Sequence, residues 1–301
     1  MRSGIRALAA LCSLAISVNT GCSRNPGTSG SGVAEEDIST AQFTETADST
    51  EKATTSYHTV SEKDMKPVSK SGSAVRFSEN GTEVIGSGIS VDGTSVTLTR
   101  SGYYYLSGVC SDGQLIIDCG KDDDVFIVLE GLELTCSNGP AILCRKADKL
   151  TITLAEGSVN TLSDGKGYSP ETAEDTGAAL FSQDTMVING TGTLNVNGVY
   201  KDGIKSKDGL KLCGGTINVT AAEDGMAGKD YLLAAGGTIT VNSGCDGIKS
   251  TNSSNPEKGY ITISGGSLSL TCGNDGIQAE TDLNISGGTV EMTTGGGSST
   301  V

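Results

Sequence analysis

From Met186 onward, apolar and polar residues alternate with period two in short runs, and the runs come in pairs on either side of a Gly-Gly step. The pairs are 210–212 with 216–219, 232–234 with 238–241, 261–263 with 267–270, and 283–285 with 289–292. Alternation of this kind predicts strands with one side buried and the other in water. A third short run follows each Asp-Gly step, and the steps Asp202-Gly203, Asp224-Gly225, Asp246-Gly247 and Asp275-Gly276 recur at spacings of 22, 22 and 29 residues. A period near 22 without heptads or leucine-rich spacing predicts a stack of repeats. Three runs per period predict an all-β fold, a right-handed single-stranded parallel β-helix with coils of about 22 residues and three strands per coil. Gly-Gly and Asp-Gly are placed at its corners, where a turn needs positive φ or a close backbone approach.

Residues 75–185 keep the same grammar with poorer periodicity, in runs such as 96–99, 115–117, 125–129 and 150–154. They read as an N-terminal cap and earlier coils. The folded domain is therefore expected over 75–301, with the regular Asp-Gly repeats in 186–301. The longer spacing before Asp275 comes from a seven-residue insertion within 250–260. Insertions of this type leave one face of a stack as loops, and this one is expected to border a binding groove.

Upstream of the pattern, residues 1–22 read as an export signal. Arg2 and Arg6 precede a short apolar run, too short to span a bilayer, and small residues lead to Cys22. The Asn19-Thr20-Gly21-Cys22 box predicts lipidation of Cys22, with ordinary signal cleavage as the alternative. Membrane contact is expected through that anchor alone, on an exported bacterial cell-surface lipoprotein. Residues 23–74 are rich in Ser, Thr, Glu, Asp and Lys and are expected to form a disordered tether. The chain's one histidine, His58, falls there, which removes histidine-based chemistry from the expected domain. Seven cysteines lie in the domain, none in a CxxC pair, and they read as buried thiols, with a disulfide such as Cys136 to Cys144 left open.

Charge narrows the partners. The chain carries 21 Lys and Arg against 36 Asp and Glu, a formal net charge of −15, so it has little means of displacing phosphate counterions and nucleic acid is excluded. Stacking the repeats places Asp202, Asp224, Asp246 and Asp275 in one column, and puts Asp208 and Asp230 in a second with Asp184 and the neighbourhood of Asp282. Carboxylates about 4.8 Å apart repel and need cations or lysines. Calcium suits such oxygen-rich columns, and Asp202, Asp208, Asp224, Asp230, Asp246, Asp275, Glu280 and Asp282 are its candidate ligands. Ordinary turn chemistry also accounts for an Asp before a Gly. Lys205, Lys207, Lys229 and Lys249 are expected on one outward face as a basic strip, and Tyr260 is a candidate sugar contact.

The segments 85–88 and 101–108, Leu154-Ala155-Glu156-Gly157 with Asn160 to Gly165, Asp246-Gly247-Ile248-Lys249-Ser250-Thr251 and Asn274-Asp275-Gly276-Ile277-Gln278-Ala279-Glu280 together resemble a bacterial family of exported carbohydrate-binding β-helix proteins with a pectate-lyase-like fold. The resemblance implies binding of cellulose and acidic plant polysaccharides, notably polygalacturonate, with bound calcium and no established cleavage. The residues themselves favour an acidic polymer, since Trp is absent. The expected function is thus calcium-assisted, non-catalytic binding of acidic polysaccharide. One alternative is a polysaccharide lyase that uses a desolvated Lys205 or Lys249 of lowered pKa as base, because no arginine follows Arg145. A structural adhesin or spacer is the other.

Overall fold

The structure, a computed structural model, describes residues 58–68, 70–169 and 176–295. The signal region, Cys22 and most of the expected tether lie outside the described residues. Strands build the molecule. In Gly209–Ala221, Leu210, Leu212, Ile217 and Val219 are buried while Lys211, Asn218 and Thr220 face outward. The same positions recur in Tyr231–Ser243, Tyr260–Cys272 and Leu283–Thr294, paired in parallel as Thr216 to Thr238 to Ser267 to Thr289. The offsets are 22, 29 and 22 residues, the same two lengths that separate the Asp-Gly steps. Each leucine, isoleucine or valine turned into the continuous apolar core contributes at most about 1.5–3 kcal/mol relative to exposure.

The expected right-handed single-stranded parallel β-helix with three strands per coil is corrected by the pairing. The two runs flanking each Gly-Gly are one bent strand of 12 or 13 residues, because backbone pairing resumes across the glycines after a local register shift. The second glycine of each pair, Gly237 for example with φ +93°, takes the left-handed conformation that lets the strand bend without ending. A repeat therefore holds one long strand and one short one. In the preceding segment the runs are separate strands, Lys149–Leu154 with Val159–Asp164 and Thr185–Gly190 with Thr193–Gly198. The first set pairs with the continuous strand Asp124–Cys136, the second with the continuous strand Gly209–Ala221, and the two sets pair with each other. The result is a closed ring of six parallel strands.

Beside this barrel lies a nine-stranded mixed sheet, running from Ile277–Ala279 through Ile248–Ser250, Met226–Gly228, Asp202–Ser206 and earlier strands to Ser95–Leu98 and Ile89–Asp92. Its last pair is antiparallel and the rest are parallel. The Asp-Gly glycines lead into its short strands by close approach rather than positive φ. A Cβ on Gly225 would stand 2.3 Å from Val241 Cγ1 and 2.4 Å from the Gly247 carbonyl oxygen.

Residues 58–68, expected within the tether, pack across the long strands as a strap. Ser61 and Asp64 cap a four-residue helix, Glu62–Met65, reciprocally. Asn189 Nδ2 donates to the carbonyls of Asp64 and Lys66 at 2.9 and 3.0 Å, and Lys211 Nζ bonds Asp64 at 3.0 Å. Burial pushes the Asp64 carboxyl up, but the Ser61 amide and Lys211 bring it below the ordinary aspartate value. His58 stacks on Tyr231, with ring centroids 4.5 Å apart, and its amide donates to the Tyr260 hydroxyl at 2.7 Å.

Candidate functional site: a lysine-lined cleft

The short strands place the cleft. Ile204, Met226 and Ile248 are in register and point into the core, so the next residue of each strand, Lys205, Ala227 and Lys249, points out. Two residues further on come Lys207 and Lys229, and Thr251. These side chains line an open cleft of about 340 Å³ together with Lys201, Asp202, Glu223 and Asp224. Five lysines thus face three acidic side chains there, in a chain whose overall balance is strongly acidic. The four lysines singled out from the sequence converge. Lys201 and Glu223 were not singled out; the signal was the residue before each Asp-Gly, which stacks in its own column, Glu223 N–H donating to the Lys201 carbonyl at 2.8 Å.

The first aspartate column is a hydrogen-bonded ladder. One oxygen of Asp202 accepts the Asp224 amide at 3.2 Å, Asp224 accepts the Asp246 amide at 3.1 Å, and Asp246 accepts the Asp275 amide at 3.2 Å. The second oxygens go to lysine. Lys205 Nζ meets Asp202 at 2.7 Å, and Lys249 bridges Asp224 and Asp246, the latter at 3.5 Å. Burial and then Asp224 push the Asp246 carboxyl up. For Lys249, burial works against the charged form, yet Asp224 and then Asp246 hold the ammonium above the ordinary lysine value. That is opposite in direction to what a lysine base requires.

The second column behaves differently. Asp184 accepts the Ala147 amide at 2.9 Å. The Thr185 hydroxyl donates to Asp208 Oδ2 at 2.7 Å, and Lys258 and Asn252 donate to Asp230. Asp275 and Glu280 are exposed, and the Asp282 carbonyl accepts the Ile261 amide at 2.9 Å. Among the described residues no three His, Cys, Asp or Glu side chains converge as metal ligands, and the oxygens of Asp202, Asp224 and Asp246 are committed to amides and lysines. The donor set of the first column therefore does not fit a protein-built calcium cage.

Tyr260 lies away from the cleft. It is 1% exposed on Tyr260–Cys272 and stacks on Tyr231 at 5.7 Å between centroids. Cys136 and Cys144 are both free thiols, as are Cys110, Cys119, Cys213 and Cys272. Burial pushes Cys119 up to about 11 and Cys144 to about 12, so neither is a nucleophile near neutral pH.

Comparison with known proteins follows the same residues. A carbohydrate-binding domain-containing protein from Acetivibrio thermocellus is 37% identical over 136 residues, 44% of this chain and 48% of that relative, so the chain spans about half the length of the curated relative it matches. A solved structure of a polysaccharide lyase-like protein from C. thermocellum, a gadolinium derivative, superposes with a TM-score of 0.65 at 30% identity, covering 74% of this chain and 94% of that one. The family model described as carbohydrate-binding domain-containing protein matches residues 92–301, which takes in the barrel, the lysine cleft and the mixed sheet apart from its edge strand Ile89–Asp92, and this chain belongs to that family.

Proposed function

We propose that the cleft binds an acidic polysaccharide of the polygalacturonate type without cleaving it. The observation that carries this reading is the concentration of five lysines in one cleft of a chain with net charge −15. A uronate polymer presents carboxylates at regular intervals along an extended chain. The exposed ammonium of Lys229 and those of Lys201 and Lys207 receive them, while Lys205 and Lys249 stay braced by Asp202, Asp224 and Asp246. Charge neutralisation is assigned to lysine. Calcium enters as an additive whose effect on retention is measured with and without chelator.

Affinity electrophoresis through gels containing polygalacturonate tests the reading. Retardation is expected in chelator as well as in calcium, and the Lys207→Glu/Lys229→Glu double variant should run freely. No retardation in either condition would leave the spacer reading standing. Loss of retardation in chelator alone would return the carboxylates to calcium. The lyase-like neighbour makes elimination the natural second reading, but the raised pKa of Lys249 and the ion pair of Lys205 with Asp202 oppose it. Unsaturated uronides absorbing in the ultraviolet after prolonged incubation would reinstate it. We further propose surface display through Cys22. Incorporation of labelled fatty acid should disappear in Cys22→Ala.

A further inference from the structure

Residues 58–68 lie across a face of the long strands that differs from the rest of the chain. Thr151, Val187, Asn189, Tyr231 and Leu233 alternate with the core residues Ile152, Ile188 and Leu232, so they point away from the core, yet each is buried. The strap covers them: Val60 packs against Tyr231 and Leu233, and His58 stacks on the Tyr231 ring. In a chain with 36 Asp and Glu, the segments that build this face, 149–154, 185–190, 209–213, 231–235 and 260–264, contain Lys149 and Lys211 and no acidic residue. Asp148, Asp184, Asp208 and Asp230 stand one position before four of them, at the corner.

The face presents donors to the strap's oxygens. Lys211 Nζ reaches the Thr59 carbonyl at 3.2 Å, and Asn189 Nδ2 spans the Asp64 and Lys66 carbonyls. The Asp64 carboxylate is the centre of the contact, 4% exposed, with Lys211 Nζ at 3.0 Å and Lys149 Nζ at 3.8 Å. Two ammonium groups around one buried carboxylate make a charge-assisted recognition site, and its occupant is a residue of the same chain. Asp64 also accepts the Ser61 amide at 2.9 Å, so the carboxylate that seats the strap shapes it as well. Beside it the strap leaves a cleft of about 310 Å³ against Leu233, Ala235, Thr262 and Ser264, where the Thr262 hydroxyl is buried without a hydrogen-bond partner among the described residues.

We infer that this face is a second binding site, for a carboxylated glycan, and that residues 58–68 close it as a built-in competitor whose Asp64 takes the seat of a uronate carboxylate. With the strap lifted, Lys149 and Lys211 receive a carboxylate and Asn189 donates to a neighbouring sugar oxygen. The Tyr231 ring, released from His58, stacks on the apolar side of a pyranose.

This site goes beyond the lysine cleft, which lies on the mixed sheet and shares no residue with it. Two observations favour a glycan over an acidic peptide as its ligand. The face falls within residues 92–301, matched by the carbohydrate-binding family, whereas the strap precedes them. A flat ring, that of Tyr231, also lies on the same face as the two cations, a pairing that serves a sugar carrying both an apolar side and a charge.

Affinity electrophoresis of the full chain tests the site in the Lys207→Glu/Lys229→Glu background, which silences the cleft. Adding Asp64→Asn should undock the strap, seen as unstacked His58 ring resonances, and restore retardation by polygalacturonate. With a face that is free less than about a tenth of the time when strapped, apparent affinity rises about ten-fold or more on opening. A synthetic peptide of residues 58–68 should compete with that retardation, and the same peptide with Asp64→Asn should not. The inference is overturned if the chain carrying Asp64→Asn runs freely with its strap undocked, if its strap stays docked, or if the peptide fails to compete. Retardation by polyglutamate and not by polygalacturonate would make the ligand an acidic peptide and overturn the glycan assignment. Should the substituted chain fold poorly, the wild type decides: polygalacturonate at high concentration should itself unstack His58, and unmoved resonances overturn the inference. The cleft is judged apart, because a free-running wild type beside a retarded Asp64→Asn chain removes the cleft and keeps the face.

Discussion

Lys249 shows what one side chain does here. It is 22% exposed and sits between carboxylates of two successive repeats, so its removal strands Asp224 and Asp246 beside each other. Lys249→Ala should cost about 2–3 kcal/mol, read as a lower urea midpoint at neutral pH with an unchanged slope. Its raised folded pKa contributes stability at every pH below the ordinary lysine value of 10.5, and that contribution disappears as alkali carries the pH through the folded value. Asp64 carries the opposite sign. Its lowered pKa stabilises the strap above the ordinary value of 3.8 and stops doing so as pH falls through the folded one. Acid should therefore shift the His58 and Tyr231 ring resonances toward unstacked positions, and Asp64→Asn should show the unstacked shifts at neutral pH.

At the scale of strands and turns, two kinds of glycine are separable by experiment. Gly131 has φ +79° and open space where a Cβ would stand, so Gly131→Ala pays for backbone conformation alone, about 1 kcal/mol. Gly225 has no such φ but is hemmed in by Val241 and the Gly247 carbonyl, and Gly225→Ala must displace a backbone; a loss of more than about 3 kcal/mol in the same denaturation series is expected. The sequence carried the register plainly, because Asp202, Asp224, Asp246 and Asp275 mark it and the strand pairing follows their spacing. It also brought the four lysines to one face, since Ile204 and Ile248 fixed which way their neighbours turned. Strand count was not legible. Gly-Gly marks a bend as readily as an end, and local alternation does not tell whether pairing continues from Leu212 to Thr216. Nor was the strap legible: residues 58–68 are held by Asp64, Asn189 and Lys211 through polar bonds, which leave no apolar period to read. Tyr260 misled for the same reason, its ring being taken up by Tyr231 and its hydroxyl by His58.

Across the whole molecule, charge is divided unevenly: a strongly acidic chain keeps a basic cleft on its mixed sheet. Repulsion from the remaining surface opposes approach of a polyanion at long range, while the lysines attract it at short range. Added salt screens both within about 10 Å at 0.1 M. Retention of polygalacturonate should pass through a maximum as salt rises and then decline, rather than fall steadily as it would on a uniformly basic protein. A monotonic decline in a salt series would show that the acidic surface is not felt at the cleft.

The strap gives the molecule an order of assembly. His58 is bonded to Tyr260, 202 positions later, so a segment made early is seated on strands that leave the ribosome well after it. Until then Tyr231 and Tyr260 have no cover, and the arriving segment closes the longest loop in the described chain. Its docking thus waits on the strand that carries Tyr260: a product cut off before that strand can stack its early repeats and still expose a segment that docking hides from proteases.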